Sequence, residues 1–298
     1  MPLKILLQTS LLATEDDDWT ICRFSLLKNY LNSLTDDKGD LLVRVIARDR
    51  EPNEWGDDPI LSTLDVRDID ELWLFALDVG SGLSQNDRAG ITRFHQRGGG
   101  ILTARDHQDM GLSLCPILPI GKYHYFHSLQ NNPDNTRCQR DDRHTQSINW
   151  PNYHSGRNGD YQEIEATEPV HELLKISHPT ARIIRYFPAH PHEGDIGIPA
   201  EYSHARVIAK GISKTTNRKF NIAIAAERVL DETGNLLGRM VAESTFHHLV
   251  DYNWNVATGC PGFVEEPPGN EVQKHPERLN DIYAYVKNLA LWLAPDGF

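Results

Sequence analysis

Short apolar runs alternate with longer stretches of helical periodicity along this chain, and the alternation predicts an α/β fold. Seven runs are short and apolar enough for strands of a buried sheet. They lie at residues 3–8, 42–47, 70–76, 101–104, 205–210, 220–226 and 239–245. Because strand and helix patterns alternate across short polar loops, we expect a mostly parallel central sheet.

Two predicted helices each have one apolar face. The first follows the opening strand, and an acidic trio at residues 16–18 falls at its N-terminus, where the helix dipole favours negative charge. The second closes the chain. Their apolar positions are Trp19, Cys22, Leu26, Leu27, Tyr30, Leu31 and Leu34, and then Ile282, Tyr285, Val286, Leu289 and Leu293.

A third helix, before the fourth strand, carries its own start and stop signals. Ser84 with Asp87 three residues later forms a capping box, and Gly98 is placed as the glycine that ends the helix. Between the last two strands, Glu-Thr-Gly-Asn at residues 232–235 is typical of a hairpin turn. We therefore expect part of the sheet to be antiparallel.

The regular pattern fails at about residues 116–199, which are rich in His, Asn, Asp, Tyr and Pro. An irregular run of this length inside a compact domain is usually functional. No linker or repeat divides the chain. We expect residues 1–298 to form a single domain, with this stretch as a loop-rich insertion.

Composition restricts the classes of partner. A net charge of −12 without a basic stripe argues against nucleic acid, and the opening residues are too polar for a secretory or membrane segment. Four scattered cysteines predict reduced thiols and a cytoplasmic location. We expect a small-molecule substrate, and neither nucleic acid nor a membrane as a partner. Assembly into a homo-oligomer is an open alternative.

The order of motifs resembles the trehalose-utilisation (ThuA-like) family of the class I glutamine amidotransferase-like superfamily. The likeness rests on a third strand with a glycine loop, a capped helix ending in Gly-Gly-Gly, a strand with a polar turn, and GRMVAESTFHH at residues 238–248. It covers residues 72–109 and 207–293. The resemblance implies a three-layer, flavodoxin-like sandwich.

The resemblance also implies positions for the superfamily's functional residues. The nucleophilic Cys of an amidotransferase would follow the fourth strand, but this turn holds Arg105 and Asp106, and Cys115 lies nine residues beyond Asp106. Standard glutaminase activity is therefore not expected. The oxyanion loop corresponds to Gly80, Ser81 and Gly82, and the catalytic His to His247 or His248, without the usual acidic residue two positions later.

Ionisable residues crowd the turn after the fourth strand, where open α/β sheets place their sites. Asp106 beside His247 or His248, with His107 adjacent, predicts general acid–base chemistry near neutral pH. Arg105 is expected to bind substrate. The alternative is that Asp106 caps a helix and His247 is a buried structural histidine.

A divalent metal is a second hypothesis, because the chain offers many nitrogen and oxygen ligands. These are His107, His124, His127, His144, His154, Asp106, Asp109, Asp142 and Asp160. The spacing of His124 and His127 could place both imidazoles on one side of a helical turn. No metal-binding signature is present. We therefore favour a site without a cofactor, and a site with a divalent metal is the second hypothesis.

Residues 149–162 combine aromatic planes with amides and carboxylates, which suits a sugar or another polyol. The candidate substrate-binding residues are Trp150, Tyr153, His154, Asn158 and Asp160. The alternative is an ordinary surface loop with glycine turns. Glu193 is a candidate second carboxylate, against a plain turn at residues 190–195.

Together these residues predict an enzyme of the ThuA-like group that acts on a small polar, carbohydrate-derived substrate by Asp/His acid–base chemistry. Two alternatives stay open. One is a non-catalytic binding protein on the same scaffold, and the other is a metal-dependent hydrolase that uses the His-rich insertion.

Overall fold

The computed structural model describes residues 1–142, 145, 147–177 and 180–298. His144, one of the predicted metal ligands, lies outside the described residues. The strands, numbered in chain order, are β1 (Leu3–Leu12), β2 (Val43–Arg50), β3 (Glu71–Phe75), β4 (Gly100–Ala104), β5 (His124–Tyr125), β6 (Tyr161–Glu163), β7 (Glu165–Ala166), β8 (Lys175–Ile176), β9 (Arg182–Ile183), β10 (Tyr186–Pro188), β11 (Asp195–Ile196), β12 (Ala205–Ile212), β13 (Lys219–Ala226) and β14 (Met240–Glu243).

The α-helices are α1 (Ser25–Asn32), α2 (Gln85–Gln96), α3 (Asp251–Trp254), α4 (Glu271–Lys274) and α5 (Leu279–Leu293). Short 3₁₀ helices lie at Ile21–Phe24, Leu61–Val66, Leu112–Leu114, Ile120–Tyr123, Asn135–Arg137, Glu172–Leu174, Phe246–His248, Val256–Thr258 and Pro276–Arg278. Each helix in the described part of the chain is too short or too polar to cross a membrane.

Eight strands form the central sheet, in the order β2-β1-β3-β4-β14-β13-β12-β7. The pairs from β2 through β14 are parallel, and those from β14 through β7 are antiparallel. The predicted mostly parallel sheet with an antiparallel part is therefore confirmed. The turn signal forms a local loop in which the Asp231 carboxylate accepts the N–H groups of Thr233 and Asn235, at 2.9 and 2.8 Å.

Side chains of the central strands alternate between two cores, which makes the molecule a three-layer sandwich. On β3, Trp73 and Phe75 pack on the side of α1 and α5, and Leu72 and Leu74 pack on the side of α2. All five residues of β3 are buried, as expected for a strand covered on both faces.

The predicted signals of α2 are confirmed. The Ser84 hydroxyl accepts the N–H of Asp87 at 3.0 Å, and the Asp87 carboxylate accepts the N–H of Ser84 at 3.0 Å. Gly98 has a φ of +93°, which side chains disfavour and which lets the chain turn sharply into β4.

The acidic trio at residues 16–18 does not cap α1, and this prediction was wrong. The carboxylate of Asp18 accepts the N–H of Trp19 at 2.7 Å, so it holds the loop before the helix. The carboxylate at the N-terminus of α1 comes from Asp251, which accepts the N–H groups of Ser25 and Leu26 at 3.0 and 2.7 Å. A residue 226 positions away supplies the cap.

The stretch at residues 116–199 is more ordered than its sequence pattern predicts. Its strands of two or three residues form three small antiparallel pairs, β5 with β11, β6 with β10, and β8 with β9, and β7 extends the central sheet. Buried Tyr123, Phe126 and Phe187 anchor it. Strands this short give no periodicity to detect, but they fix where the following loops lie.

Candidate active site

Three segments of the chain meet beyond the carboxyl ends of β4 and β14. These strands are parallel neighbours, so Asp106 after β4 and His247 after β14 emerge at the same edge of the sheet. The N–H of Phe246 donates to the Arg105 carbonyl at 3.0 Å and ties the two turns together. The third residue, His190, follows β10.

The structure brings a carboxylate and three imidazoles together here. Oδ2 of Asp106 lies 3.1 Å from Nε2 of His190, 3.7 Å from Nε2 of His247 and 3.9 Å from Nε2 of His107. The rings of His190 and His247 stack with centroids 3.6 Å apart and planes 9° from parallel. Thr245 donates its hydroxyl to the other oxygen of Asp106 at 3.2 Å. We call these residues, Asp106, His107, His190 and His247, the Asp106 cluster.

Burial dominates the electrostatics of this cluster, because Asp106, His190 and His247 are each only 2% exposed. Burial raises the pKa of Asp106, although the neighbouring histidines oppose this shift. Burial also holds the pKa values of His190 and His247 well below their ordinary value and lowers that of His107 to about 4. The imidazoles are therefore neutral near pH 7, with lone pairs that can accept a proton or a metal ion.

Asp106, His107, His190 and His247 form part of the wall of a cavity of about 280 Å³. The other lining residues are Trp19, Met110, Thr145, Ser147, Ile148, Asn158, Pro191, His192, Phe263, Val264, Glu265 and Glu266. Among the described residues, no Lys, Arg or Cys lines it. A larger groove of about 470 Å³ runs along the acidic loop at residues 14–18, but none of the described histidines lines it, so we place the candidate site at the smaller cavity.

His248 points away from the cavity, although it is adjacent to His247. Its Nδ1 lies 3.1 Å from the Glu243 carboxylate and its Nε2 lies 3.4 Å from the Glu193 carboxylate, and all three side chains are fully buried. Burial alone would lower the pKa of His248, but the two carboxylates outweigh it and raise this pKa to about 9. Glu193, the predicted second carboxylate, thus belongs to a buried ionic network.

Arg105 shapes the turn and does not reach the cavity. Its guanidinium is fully buried and donates to the carbonyls of Gln108 and Met110, at 3.2 and 3.0 Å, as well as to those of Asp106 and Tyr125. Burial lowers its pKa to about 10. Backbone carbonyls thus occupy both terminal nitrogens of the guanidinium, and Arg105 is absent from the described cavity lining.

The loop predicted to stabilise an oxyanion lies outside the cavity. The N–H of Gly80 donates to the Asp78 carboxylate at 2.8 Å, and none of Gly80, Ser81 and Gly82 lines the cavity among the described residues. The Asp78 carboxylate also accepts the Ser113 hydroxyl at 2.7 Å. The N–H of Gly80 is therefore taken up within the loop, and the loop does not contribute to the described lining beside Asp106.

Of the five predicted substrate-binding residues at 149–162, Asn158 lines the cavity, and its Oδ1 lies 3.0 Å from Nδ1 of His190. Trp150 packs on His127, with ring centroids 4.3 Å apart. Tyr153 is buried and stacks on Phe220 at 4.8 Å.

The remaining two predicted residues contact other elements. The Asp160 carboxylate accepts the N–H groups of Asn270 and Glu271 at the start of α4, at 3.1 and 3.3 Å. His154 lies 3.7 Å from the Glu266 carboxylate at the cavity rim. The loop therefore packs Trp150 and Tyr153 against other rings and offers the cavity the amide of Asn158.

The predicted metal candidates His124 and His127 are not part of one site. His124 begins β5 and its Nε2 bonds the Thr103 hydroxyl at 2.8 Å, so the two residues do not share a helical turn. Among the described residues, one group of side chains has its donor atoms within 4.8 Å of one another, and it consists of Asp106, His190 and His247.

Fold and site together define an α/β protein with a carboxylate–histidine cluster in the crevice at the carboxyl ends of its parallel strands. No family model matches the chain, and no curated protein matches it either.

Solved structures to which the chain is similar include ThuA-like proteins of Bacteroides uniformis and Parabacteroides merdae. The first is 11% identical over 96% of this chain and 91% of its own length, with a TM-score of 0.43. The second is 14% identical over 91% and 96%, with a TM-score of 0.39. The glutaminase domain of Trypanosoma brucei CTPS is 11% identical over 97% and 94%, with a TM-score of 0.41. Similarity at this level assigns no activity.

Proposed function

We propose that the chain is an enzyme of the ThuA-like group that acts on a small, neutral, carbohydrate-derived substrate in the cavity beside Asp106. One observation carries this proposal. The carboxylate of Asp106 and the imidazoles of His107, His190 and His247 lie together in the wall of one cavity. Ligands of open α/β sheets bind in this crevice.

The cluster supplies groups for acid–base chemistry. Asp106 and His247 form the pair that takes a proton from a water molecule or a substrate hydroxyl, and His190 holds the carboxylate in place. A positioned acid or base of this kind typically contributes a factor of about 10²–10⁴ to the rate.

The cavity lining supports a neutral substrate that carries several hydroxyls. Glu265 and Glu266 contribute negative charge, and without a lining Lys or Arg among the described residues the space disfavours phosphorylated substrates. Trp19 and Phe263 offer apolar faces for the C–H side of a sugar, while Asn158 and His192 offer hydrogen-bonding groups. The volume of about 280 Å³ favours a small molecule.

A non-catalytic scaffold would use Asp106 and both late histidines in structural hydrogen bonds and would leave no cleft. The ring of His248 is held in this way between two buried carboxylates, and Asp106 also accepts the hydroxyl of Thr245, but a cleft is present. Asp106 and His247 line the cavity. This geometry supports the enzyme over the binding protein.

The test is a screen of neutral sugars, glycosides and sugar lactones against the full chain and two variants, with products followed by NMR. We expect Asp106→Asn to lower kcat/KM by at least about 100-fold. The matched control His127→Gln replaces a histidine that is outside the cavity and should keep full activity. Wild-type protein that converts no compound faster than Asp106→Asn would refute the proposal.

A further inference from the structure

We infer that Asp106, His190 and His247 bind a divalent transition-metal ion. The inference rests on the proposed function for its setting in the cavity, and it refines the role of the cluster. With an ion bound, the three side chains act as ligands, and the ion supplies the acidity that a bound water needs to lose a proton near pH 7. The inference is carried by three features of the donors, which are their spacing, the tautomer of His190 and the unsatisfied ring of His247.

The spacing of the donor atoms suits a shared ion. Zinc bonds imidazole nitrogen and carboxylate oxygen at about 2.0–2.2 Å, so two donors on a tetrahedral ion lie about 3.4 Å apart. The separations from Oδ2 of Asp106 are 3.1 Å to His190 and 3.7 Å to His247, on either side of that value. One donor atom from each of the three side chains lies within 4.8 Å of the other two.

The hydrogen bonds of His190 leave a lone pair aimed at the ion's position. Its Nδ1 lies 3.0 Å from Oδ1 of Asn158 and its Nε2 lies 3.1 Å from Oδ2 of Asp106, and both neighbours are acceptors. A neutral imidazole has one N–H. If Nδ1 donates to Asn158, the lone pair of Nε2 faces the carboxylate, and a cation between the two atoms removes their repulsion. Metal-ligating histidines donate their other N–H in this way.

His247 supplies the third feature. Its Nδ1 is buried and meets no hydrogen-bond partner among the described residues. Its Nε2 is 3.7 Å from Asp106, which is too far for a hydrogen bond. The ring therefore lies beside the carboxylate without a hydrogen bond to it. An ion on Nε2 gives one nitrogen a partner and explains why this ring lies beside the carboxylate.

Two imidazoles and one carboxylate favour zinc, iron, cobalt or manganese over calcium and magnesium. Three protein ligands leave at least one position open, on the side of the cavity, as in catalytic zinc sites. His107 lies 3.9 Å from the same carboxylate oxygen and is the nearest further imidazole.

The test is titration of the chelator-treated full chain with Zn²⁺, and separately with Mn²⁺, by calorimetry, with metal content measured after dialysis. We expect one ion per chain. Asp106→Asn and His190→Gln should weaken the affinity at least about 100-fold. Asn158→Ala keeps all three donors and removes the acceptor behind His190, so it should weaken the affinity about 10-fold to 100-fold. His127→Gln should leave the affinity unchanged.

Two results would overturn the inference. One is a protein that binds no ion, which is expected if Asn158 turns its amide to donate to Nδ1 and Nε2–H of His190 donates to Asp106. The other is an ion whose affinity is the same in wild type and in Asp106→Asn, His190→Gln and Asn158→Ala, since that ion binds elsewhere. If Asp106→Asn still abolishes turnover in either case, the proposed function stands without the metal.

Discussion

The buried network of Glu193, His248 and Glu243 yields a sharp prediction about stability. One imidazolium lies between two carboxylates, and none of the three side chains reaches solvent. Replacing His248 with Gln leaves two buried negative charges without a cation. Replacing Glu193 with Gln leaves the pair of His248 and Glu243, in which the charges balance. The two substitutions remove one charge each, but they should differ strongly in cost.

The magnitude follows from two independent arguments. Removal of one partner from a buried ion pair costs about 3–5 kcal/mol, because the other charge stays buried and unpaired. The rise of the His248 pKa from 6.5 to about 9 corresponds to about 3 kcal/mol of stabilisation of its charged form. His248→Gln should therefore lower the free energy of unfolding by about 3 kcal/mol, and Glu193→Gln by less than half of that.

The assay is urea unfolding of the two variants and the wild type at pH 6, followed by circular dichroism. A loss of about 3 kcal/mol should also lower Tm by roughly 5–10 °C for a chain of this size. Equal losses for both variants, or a greater loss for Glu193→Gln, would refute the argument that the balance of buried charges decides the cost. A loss below about 1 kcal/mol for His248→Gln would show that the network is not ionic.

Two further predictions concern the scaffold. Burial lowers the pKa of His95 from 6.5 to about 4, so the unfolded chain binds more protons there and stability should fall as the pH drops from 6.5 to 4, by up to about 3 kcal/mol. Urea unfolding across this range should show a shallower loss in His95→Gln than in wild type, and equal slopes would contradict the assignment. Gly90→Ala would place a Cβ 2.1 Å from the Leu61 carbonyl oxygen, so thermal unfolding should show a loss of about 1–3 kcal/mol despite the better helix propensity of alanine. A stabilised Gly90→Ala protein would mean that the segment Leu61–Val66 gives way at no cost.

Periodicity and local signals were sufficient to predict seven of the eight strands of the central sheet, all except β7. Long strands and the capped helix α2 can be recognised in the sequence, because each depends on residues a few positions apart. The cap of α1 could not be predicted, since Asp251 reaches Ser25 only through the tertiary fold. Likewise, the strands of two or three residues within residues 116–199 are too short to produce a periodic pattern in the sequence.

The candidate site was partly predictable for the same reason. Asp106 and His247 directly follow strands of the main sheet, so their proximity follows from topology. His190 was missed, because its position depends on the pairing of β10 with β6 inside the irregular stretch. The His-Pro-His run at residues 190–192 was the one available signal, and it drew attention to Glu193 instead. Aromatic residues such as Tyr153 suggested a binding surface, but apolar faces of that size also fill cores.

The most direct test of the account is a crystal structure of the full chain equilibrated with Zn²⁺, with diffraction data recorded at the zinc absorption edge. If Asp106, His190 and His247 bind the ion, we expect one strong anomalous peak in the cavity, about 2.0–2.2 Å from Oδ2 of Asp106 and from Nε2 of His190 and His247. A map with its peaks only at His124, at His127 or in the acidic loop, or a cluster in which His190 donates directly to Asp106 with no ion, would contradict it.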